Sequence, residues 1–290
     1  MTSMLYGKPV AIAAMPLIAE RALRLTEADV KPCLATLRVG ERPDDVAYEN
    51  SIAVCGASVG VSLRRNALPI GADVATVADA VRSLAADPEV HGILVFRPLP
   101  DEAREAAALA AVPTAKDIDG VTYAQMAGLY AMKECGEVFF PCTAEAVIRL
   151  MDHYGIPITG KRAVVIGRSA VVGKPSAHLL LARDATVTVC HRKTPDLAER
   201  VRGADILVCA AGLAREGRAH MLGSDYFAPG QVIIDAAVNG DDEGIYGDVD
   251  MNAVEGVVSA VTPVPGGLGA VTTLVLVEHV IRAAEMVVRL

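Results

Sequence analysis

The segment from Arg162 to Thr194 constrains the fold of this 290-residue chain more than any other part of it. Residues 163–166 form a short apolar run, which is typical of a buried parallel strand. Residues 176–182 are predicted to form a helix, and residues 185–190 a second buried strand. A strand, a glycine turn, a helix and a strand in this order make half of a dinucleotide-binding unit. The helix N-terminus then offers free N–H groups to a pyrophosphate.

The turn between this strand and helix contains Gly167 and Gly173, but it departs from the common G-x-G-x-x-G spacing. Ser169 stands at the position of the second glycine. The pattern is therefore less specific than the usual fingerprint. A strand–helix–strand crossover that binds no nucleotide remains the alternative at this point.

The residues after the second strand indicate which dinucleotide is bound. Sites for NAD usually place Asp or Glu there to bond the ribose 2′-hydroxyl, whereas a 2′-phosphate needs cations. Here residues 190–194 read Cys-His-Arg-Lys-Thr, so His191 and Arg192 follow the strand and no carboxylate does. Arg168 in the glycine turn adds a second guanidinium, a group that binds phosphate well. The pattern predicts NADP, with a solvated basic loop as the alternative.

Composition excludes several classes of protein. The net charge is −8 and no basic block occurs, which argues against a nucleic-acid partner. No uncharged apolar run reaches the length of a membrane span, and the N-terminus lacks a convincing signal peptide. The six cysteines are scattered without metal-ligand spacing, so no metal is predicted. We expect a cytoplasmic protein without a membrane or nucleic-acid partner.

Helices and strands alternate along the chain, which predicts α/β architecture with parallel sheets and crossover helices. We predict two α/β domains, residues 1–140 and 141–270, with the last helix, about 271–290, packing back on the first. Most of the polar and glycine-rich loops follow strands, and ligands bind at the carboxyl ends of strands in such sheets. The predicted strands cover residues 33–39, 91–96, 163–166, 185–190, 204–210, 232–237 and 257–261.

Several short segments together resemble the bifunctional methylenetetrahydrofolate dehydrogenase/cyclohydrolase family, and the resemblance covers essentially the whole chain. Motifs of this number in the right order are highly specific. They are GILV-x-x-PLP at 92–100, KDIDG at 116–120, PCT at 141–143, VVIGRS-x-VVGKP at 164–175, VCHRKT at 189–194 and TPVPGGLG at 262–269.

The resemblance implies an N-terminal folate-binding catalytic domain and a C-terminal Rossmann-type NAD(P)-binding domain. It implies hydride transfer from 5,10-methylenetetrahydrofolate to NADP, giving the methenyl cation. In most members of the family the enzyme then hydrates and opens that ring to formyltetrahydrofolate. Such enzymes are commonly homodimers, paired through the cofactor domain.

The resemblance also implies roles for individual residues. Tyr48 is expected to stack on the folate ring system and Asp119 to bond its pterin end, and these two are the candidate catalytic residues. The loop of Pro265, Gly266 and Gly267 is expected to border the folate. The candidate cofactor-binding residues are Gly167, Arg168, Ser169, Gly173, His191 and Arg192.

This chain departs from the family pattern at the folate end. The family motif is Tyr-x-x-x-Lys, and its lysine is central to ring opening. In this chain the residue four positions after Tyr48 is Ile52. The glutamine that contacts that lysine is Phe96 here, and Ala270 replaces the proline after the glycine loop. Ring opening needs a group that handles protons, and neither Ile52 nor Phe96 has one. The sequence therefore predicts a divergent member whose cyclohydrolase activity is weak or lost.

Three alternatives stay open from the sequence. In the first, both activities are kept through a displaced group, Arg97 or Lys133, although alternation along a strand predicts that Arg97 points away from Phe96. In the second, the substrate is a related reduced pterin or another one-carbon carrier. A non-catalytic folate- or nucleotide-binding subunit is the third alternative, and retention of Tyr48 and Asp119 argues against it.

Overall fold

The computed structural model describes residues 1–131, 138–217 and 221–288. No helix within those ranges has the length and apolar character that crossing a membrane requires. The strands are β1 (Ser3–Met4), β2 (Cys33–Val39), β3 (Ser62–Leu68), β4 (Gly92–Val95), β5 (Arg162–Ile166), β6 (Thr186–Cys190), β7 (Ile206–Cys209), β8 (Val232–Asp235), β9 (Asn239–Asp241), β10 (Gly244–Tyr246) and β11 (Ala260–Val261).

The helices alternate with these strands. They are α1 (Gly7–Glu27), α2 (Pro43–Ser58), α3 (Val74–Ala86), α4 (Glu102–Ala111), α5 (Tyr123–Tyr130), α6 (Cys142–His153), α7 (Gly173–Ala182), α8 (Leu197–Arg202), α9 (Met251–Val254) and α10 (Leu268–Val288). The chain forms two compact units. We call residues 13–142 with 273–290 the N-terminal domain, and residues 1–12 with 143–272 the C-terminal domain.

The N-terminal domain contains a parallel three-stranded sheet in the order β3-β2-β4. Strand β2 is central and almost entirely buried, which explains its nearly continuous apolar sequence. Leu37 of β2 and Val95 of β4 are paired, and both enter a core with Val77 and Val81 of α3. Helix α3 begins where the Asp73 side chain accepts a hydrogen bond from the Thr76 N–H at 2.7 Å.

Strand β3 is a strand that the sequence did not predict. Its residues alternate between exposed and half-buried positions, and its sequence contains Arg64, Arg65 and Asn66. Because β3 is the edge strand of its sheet, its side chains stay near solvent and bind polar partners. Arg65 donates to the Asn50 side chain at 2.9 Å, and Arg64 forms an ion pair with Asp87. A polar edge strand lacks the apolar periodicity on which the prediction depended.

The C-terminal domain contains a parallel six-stranded sheet in the order β1-β11-β8-β7-β5-β6. Strands β9 and β10 pair separately as an antiparallel ribbon. The predicted domain boundary placed residues 1–140 together, but the structure groups the first 12 residues with this second unit. Ser3 and Met4 extend the sheet by pairing with Ala260 and Val261, and two residues are too short a run to show strand periodicity.

Two α/β domains with a parallel sheet, and a last helix that packs on the first domain, are confirmed. The part of α10 from Thr273 onward belongs to the N-terminal domain. There Arg21 of α1 binds two carboxylates of α10. Its guanidinium donates to both oxygens of Glu285, at 2.9 and 2.7 Å, and to Glu278 at 2.6 Å. The Arg21 side chain is only 18% exposed, so the three charged groups are stabilised mainly by one another rather than by water.

We expect Arg21→Gln to lower the free energy of unfolding by about 1–3 kcal/mol, because two half-buried carboxylates lose their cation. Urea denaturation followed by circular dichroism measures the change. Arg24→Gln is the matched control, since Arg24 is 59% exposed and lies 4.0 Å from Glu20. An exposed pair of this kind contributes about 0–1 kcal/mol. Equal losses in the two variants would contradict the role given to Arg21.

Candidate active site

Tyr48 lies in the second turn of α2. This helix starts at Pro43, with Asp44 and Asp45 in its first turn, where proline and acidic residues favour a helix N-terminus. The Tyr48 ring is half-buried and meets Phe96 edge-on, with ring centroids 6.1 Å apart and planes at 80°. Its hydroxyl shares a hydrogen bond with Thr273. Burial raises the pKa of Tyr48, and the nearby charge of Asp119 raises it further.

Ile52 follows Tyr48 by one helical turn, so both lie on the inner face of α2. Ile52 is 1% exposed and Phe96 is 5% exposed. We call these two residues the apolar wall. Neither side chain carries a proton donor or acceptor, so the wall offers neither an acid nor a base.

Asp119 is paired with Arg97. Its Oδ2 lies 3.3 Å from Nη2 of Arg97, and the two side chains are 24% and 21% exposed. Burial raises the pKa of Asp119, and the Arg97 guanidinium opposes that effect. Asp117 raises this pKa further, while Cys142 and His279 lower it. The carboxylate of Asp119 therefore depends on its cationic neighbour to stay ionised.

The loop that carries Asp119 is fixed by its own hydrogen bonds. Asp117 is buried and accepts from the N–H groups of Val121 at 3.1 Å and Thr122 at 2.7 Å. Thr122 in turn caps α5 by accepting from the N–H of Gln125. In KDIDG the first aspartate therefore shapes the turn and the second faces the candidate site.

The direction of Arg97 relative to Phe96 stays a prediction. Strand alternation predicted that Arg97 points away from the side of Phe96, but β4 ends at Val95 and the two-residue period stops there. Phe96 contacts Tyr48 while Arg97 contacts Asp119, whose charge reaches Tyr48. Both residues therefore border one place in the N-terminal domain. The other candidate for a displaced group, Lys133, lies outside the described residues.

In the C-terminal domain, the glycine turn follows β5. Gly167 has φ +123°, and a Cβ on it would overlap the carbonyl oxygen of Ala210. A Cβ on Gly173 would overlap the carbonyl oxygen of Gly167. Ser169 compensates for the missing second glycine, since its Oγ accepts from the N–H groups of Val172 at 3.2 Å and Gly173 at 3.3 Å. The hydroxyl thus caps the first turn of α7.

The glycine turn and the basic turn lie side by side. Strands β5 and β6 are parallel neighbours in which Ile166 pairs with Cys190, and the Gly167 N–H donates to the Cys190 carbonyl at 2.9 Å. Arg168 and Arg192 both follow this pair by two residues. Both side chains are exposed, and within the part of the chain that the structure describes neither forms an ion pair. Two guanidinium groups are therefore available at one edge of the sheet.

His191 is held by its own turn. The Lys193 N–H donates to His191 Nδ1 at 3.2 Å, and the Thr194 hydroxyl accepts from the His191 N–H at 2.9 Å. Because Nδ1 accepts a hydrogen bond, the proton of the neutral imidazole belongs on Nε2. That N–H is a donor suited to a phosphate oxygen.

The loop of Pro265, Gly266 and Gly267 packs against the start of α1. The Gly7 N–H donates to the Gly266 carbonyl at 3.0 Å, and the Tyr6 carbonyl accepts from the Tyr154 hydroxyl at 2.8 Å. Pro265 and Gly266 are exposed, whereas Gly267 is buried. The sequence analysis missed Tyr6 and Gly7 as partners of this loop. The contact of the loop with folate stays a prediction.

The sequence analysis also missed a buried acidic pair at the end of β8. Asp235 accepts from the N–H groups of Ala237 at 3.0 Å and Val249 at 2.9 Å, and Asp248 accepts from Asn239 at 3.1 Å. Burial raises the pKa of Asp235 to about 7. Asp235 also lines a cavity of about 360 Å³. Among the described residues, no group of acidic, histidine or cysteine side chains is arranged to hold a metal ion.

Comparison with known proteins identifies the family. Residues 5–119 match the catalytic domain of tetrahydrofolate dehydrogenase/cyclohydrolase, and residues 141–288 match the NAD(P)-binding domain of the same enzymes. The chain belongs to the tetrahydrofolate dehydrogenase/cyclohydrolase family. This confirms the resemblance found in the motifs, from the folate-side segments to the glycine-rich loop.

Relatives of this chain match over nearly their full length. The bifunctional protein FolD of Carboxydothermus hydrogenoformans is 42% identical over 99% of this chain and 98% of its own. The crystal structure of the bifunctional FolD enzyme from Campylobacter jejuni has a TM-score of 0.93 at 34% identity, covering 100% of both chains. The Trypanosoma brucei FolD structure, complexed with NADP and an inhibitor, has a TM-score of 0.92 at 30% identity and covers 100% and 99% of the chains.

The raised pKa of Asp235 predicts that the free energy of unfolding depends on pH. The pKa of Asp235 is about 7 in the folded protein, above the ordinary 3.8, so the folded chain holds a proton that the unfolded chain releases. The free energy of unfolding should therefore fall as pH rises from about 4 to about 7 and level off above that range. Asp235→Asn should flatten the decline, as measured by thermal unfolding at a series of pH values.

The control for this experiment is Asp242→Asn, which removes an exposed carboxylate between β9 and β10. It should leave the pH dependence of the unmodified protein in place. A decline that persists unchanged in Asp235→Asn would show that another group binds the proton.

Proposed function

We propose that this protein is an NADP-dependent methylenetetrahydrofolate dehydrogenase with weak or lost cyclohydrolase activity. The reaction oxidises 5,10-methylenetetrahydrofolate to 5,10-methenyltetrahydrofolate by hydride transfer. The observation that carries the proposal is that both sets of binding groups are retained. Tyr48 and Asp119 border one place in the N-terminal domain, and the glycine turn lies beside Arg192 in the C-terminal domain.

In the proposed folate site, Tyr48 offers a half-buried aromatic face and Asp119 an ionised acceptor. The 2-amino group and N3–H of a pterin are two adjacent donors, which suit the two oxygens of a carboxylate. Stacking on Tyr48 would fix the plane of the pterin while Asp119 fixes its rotation in that plane.

The C-terminal domain fits NADP by the chemistry of its donors. Arg168, Arg192 and the Nε2–H of His191 are three donors at the edge where β5 and β6 end, which suits a 2′-phosphate rather than a ribose hydroxyl. The close approach of Gly167 and Gly173 brings the positive end of the α7 helix dipole beside β5, which suits the pyrophosphate. When bound, the nicotinamide of NADP accepts a hydride. The Trypanosoma brucei structure described as complexed with NADP supports this assignment.

Hydride transfer requires little acid–base chemistry from the protein. The methylene carbon lies between two nitrogens, whose lone pairs stabilise the cation that remains. No side chain has to move a proton in this step, so positioning is the main task of the protein. Tyr48 and Asp119 are suited to positioning, and the apolar wall beside them offers no base to a water that would attack the cation.

Ring opening does require acid–base chemistry, because water must attack and protons must move. The apolar wall of Ile52 and Phe96 supplies neither a base nor an acid. Arg97 pairs with Asp119, but a guanidinium has N–H donors and no acceptor, so it offers no base to an attacking water. We therefore propose that this chain departs from relatives that are named bifunctional.

The second candidate function is a bifunctional dehydrogenase/cyclohydrolase, and the names of the relatives favour it. In that case a group other than a lysine next to Tyr48 handles the protons. Separate absorbance assays of hydride transfer and of methenyltetrahydrofolate hydrolysis distinguish the two candidates. Absence of both activities would favour the non-catalytic binding subunit.

Arg192→Ala should weaken binding of NADP by about 1–3 kcal/mol, the range of a charge-assisted hydrogen bond, and leave binding of NAD nearly unchanged. Isothermal titration calorimetry with both nucleotides measures the difference. Arg200→Ala is the matched control, because Arg200 is exposed on α8, eight residues further along the chain. If the unmodified protein binds NADP and NAD equally well, the 2′-phosphate assignment is wrong.

The unmodified protein should oxidise methylenetetrahydrofolate and leave methenyltetrahydrofolate to decay at the rate of the buffer. Ile52→Lys with Phe96→Gln should restore more hydrolysis than the two single changes together, because a buried lysine needs a partner to orient it. Ile52→Met, which adds no charge, is the control. Decay well above the buffer rate in the unmodified protein would establish the bifunctional candidate.

A further inference from the structure

Arg97 is the cation that lies beside the proposed pterin anchor. Its Nη2 contacts Asp119 Oδ2 at 3.3 Å, and its side chain is largely but not completely buried. Within the part of the chain that the structure describes, the guanidinium hydrogen-bonds no residue other than Asp119. Since a guanidinium has five N–H donors, most of them are available to a ligand.

The edge of a pterin contains more than two donors. A 2-amino-4-oxopyrimidine presents the 2-amino group and N3–H as donors, and the 4-oxo oxygen next to them as an acceptor. A carboxylate satisfies the two donors but repels the oxygen. The Asp119–Arg97 pair presents acceptors and donors side by side, which is the complement of the whole edge.

The other polar neighbours of Asp119 are already engaged. His279 donates from Nδ1 to the Ile118 carbonyl at 2.8 Å, and Cys142 Sγ lies 3.3 Å from the same carbonyl. The Tyr48 hydroxyl shares its hydrogen bond with Thr273. The apolar wall has no donor. Among these neighbours, Arg97 is the group with donors to spare for a 4-oxo oxygen.

We propose that Arg97 is a specificity-determining residue that selects the 4-oxo form of the pterin. Asp119 accepts from the 2-amino group and N3–H, and Arg97 donates to the 4-oxo oxygen. The inference rests on the proposed function, because it takes Asp119 as the pterin anchor. A 4-amino analogue presents N–H donors to the N–H donors of Arg97. Neither set of donors then has an acceptor, so the analogue binds less well.

The test compares folic acid with aminopterin, which differ at this edge by 4-oxo against 4-amino. Binding is measured by fluorescence titration at neutral pH, where the diaminopyrimidine ring is unprotonated and folic acid keeps its N3–H. The unmodified protein should prefer folic acid by about tenfold or more, as for one hydrogen bond to a charged group. Arg97→Met should reduce that preference by weakening binding of folic acid selectively, while the part that depends on the N3–H donor to Asp119 remains.

Two further variants separate recognition from support of the fold. Arg97→Lys keeps a donor and a charge, so it should retain part of the preference for folic acid. Arg42→Met removes a neighbouring arginine that donates to the Pro98 carbonyl at 3.0 Å, and it should leave the preference unchanged. An unchanged preference in Arg97→Met, with methylenetetrahydrofolate still oxidised, overturns this inference alone. If the unmodified protein binds no folic acid and oxidises no methylenetetrahydrofolate, the proposed function is overturned as well.

Discussion

Parallel pairing is the constraint on which the rest of this structure depends. The strands of the three-stranded and six-stranded sheets pair in parallel, so each connection within a sheet has to cross back before the next strand begins. The carboxyl ends of neighbouring strands therefore meet at one edge. Arg168 and Arg192 are neighbours for this reason, since each follows the end of a strand by the same number of residues. Ligand-binding groups collect at such edges because the strands that carry them pair side by side.

Charge is distributed differently in the two domains. At the nucleotide turns, exposed arginines keep their hydrogen-bonding capacity for a ligand. At the proposed pterin site, Asp119 and Arg97 are mostly buried and form an ion pair, with an apolar wall beside them. Such a site suits a reaction whose product is a cation stabilised by its own nitrogens. It does not suit a reaction in which water is activated, and this contrast is the physical basis of the proposed loss of hydrolysis.

Much of this fold follows from the sequence because its signals are local. Strand β2 is predicted at the bounds that it adopts, since a central parallel strand is buried on both faces and its sequence is mostly apolar. The glycine turn is also local, because Gly167 has a backbone conformation that other residues avoid. By contrast, β1 and β3 escaped prediction. The first is two residues long and the second has a polar edge sequence, so neither carries the periodicity of a buried strand.

The sequence by itself determined the α/β class, the family and the residue types at the candidate sites, including the apolar residues in place of the lysine and its partner. Only the tertiary structure decided which of these residues meet. Arg97 and Asp119 are 22 residues apart, and their contact depends on where β4 ends and how the following loop is held by Asp117. Side-chain direction beyond the end of a strand is set by packing against other elements, and that information is not present in any local pattern.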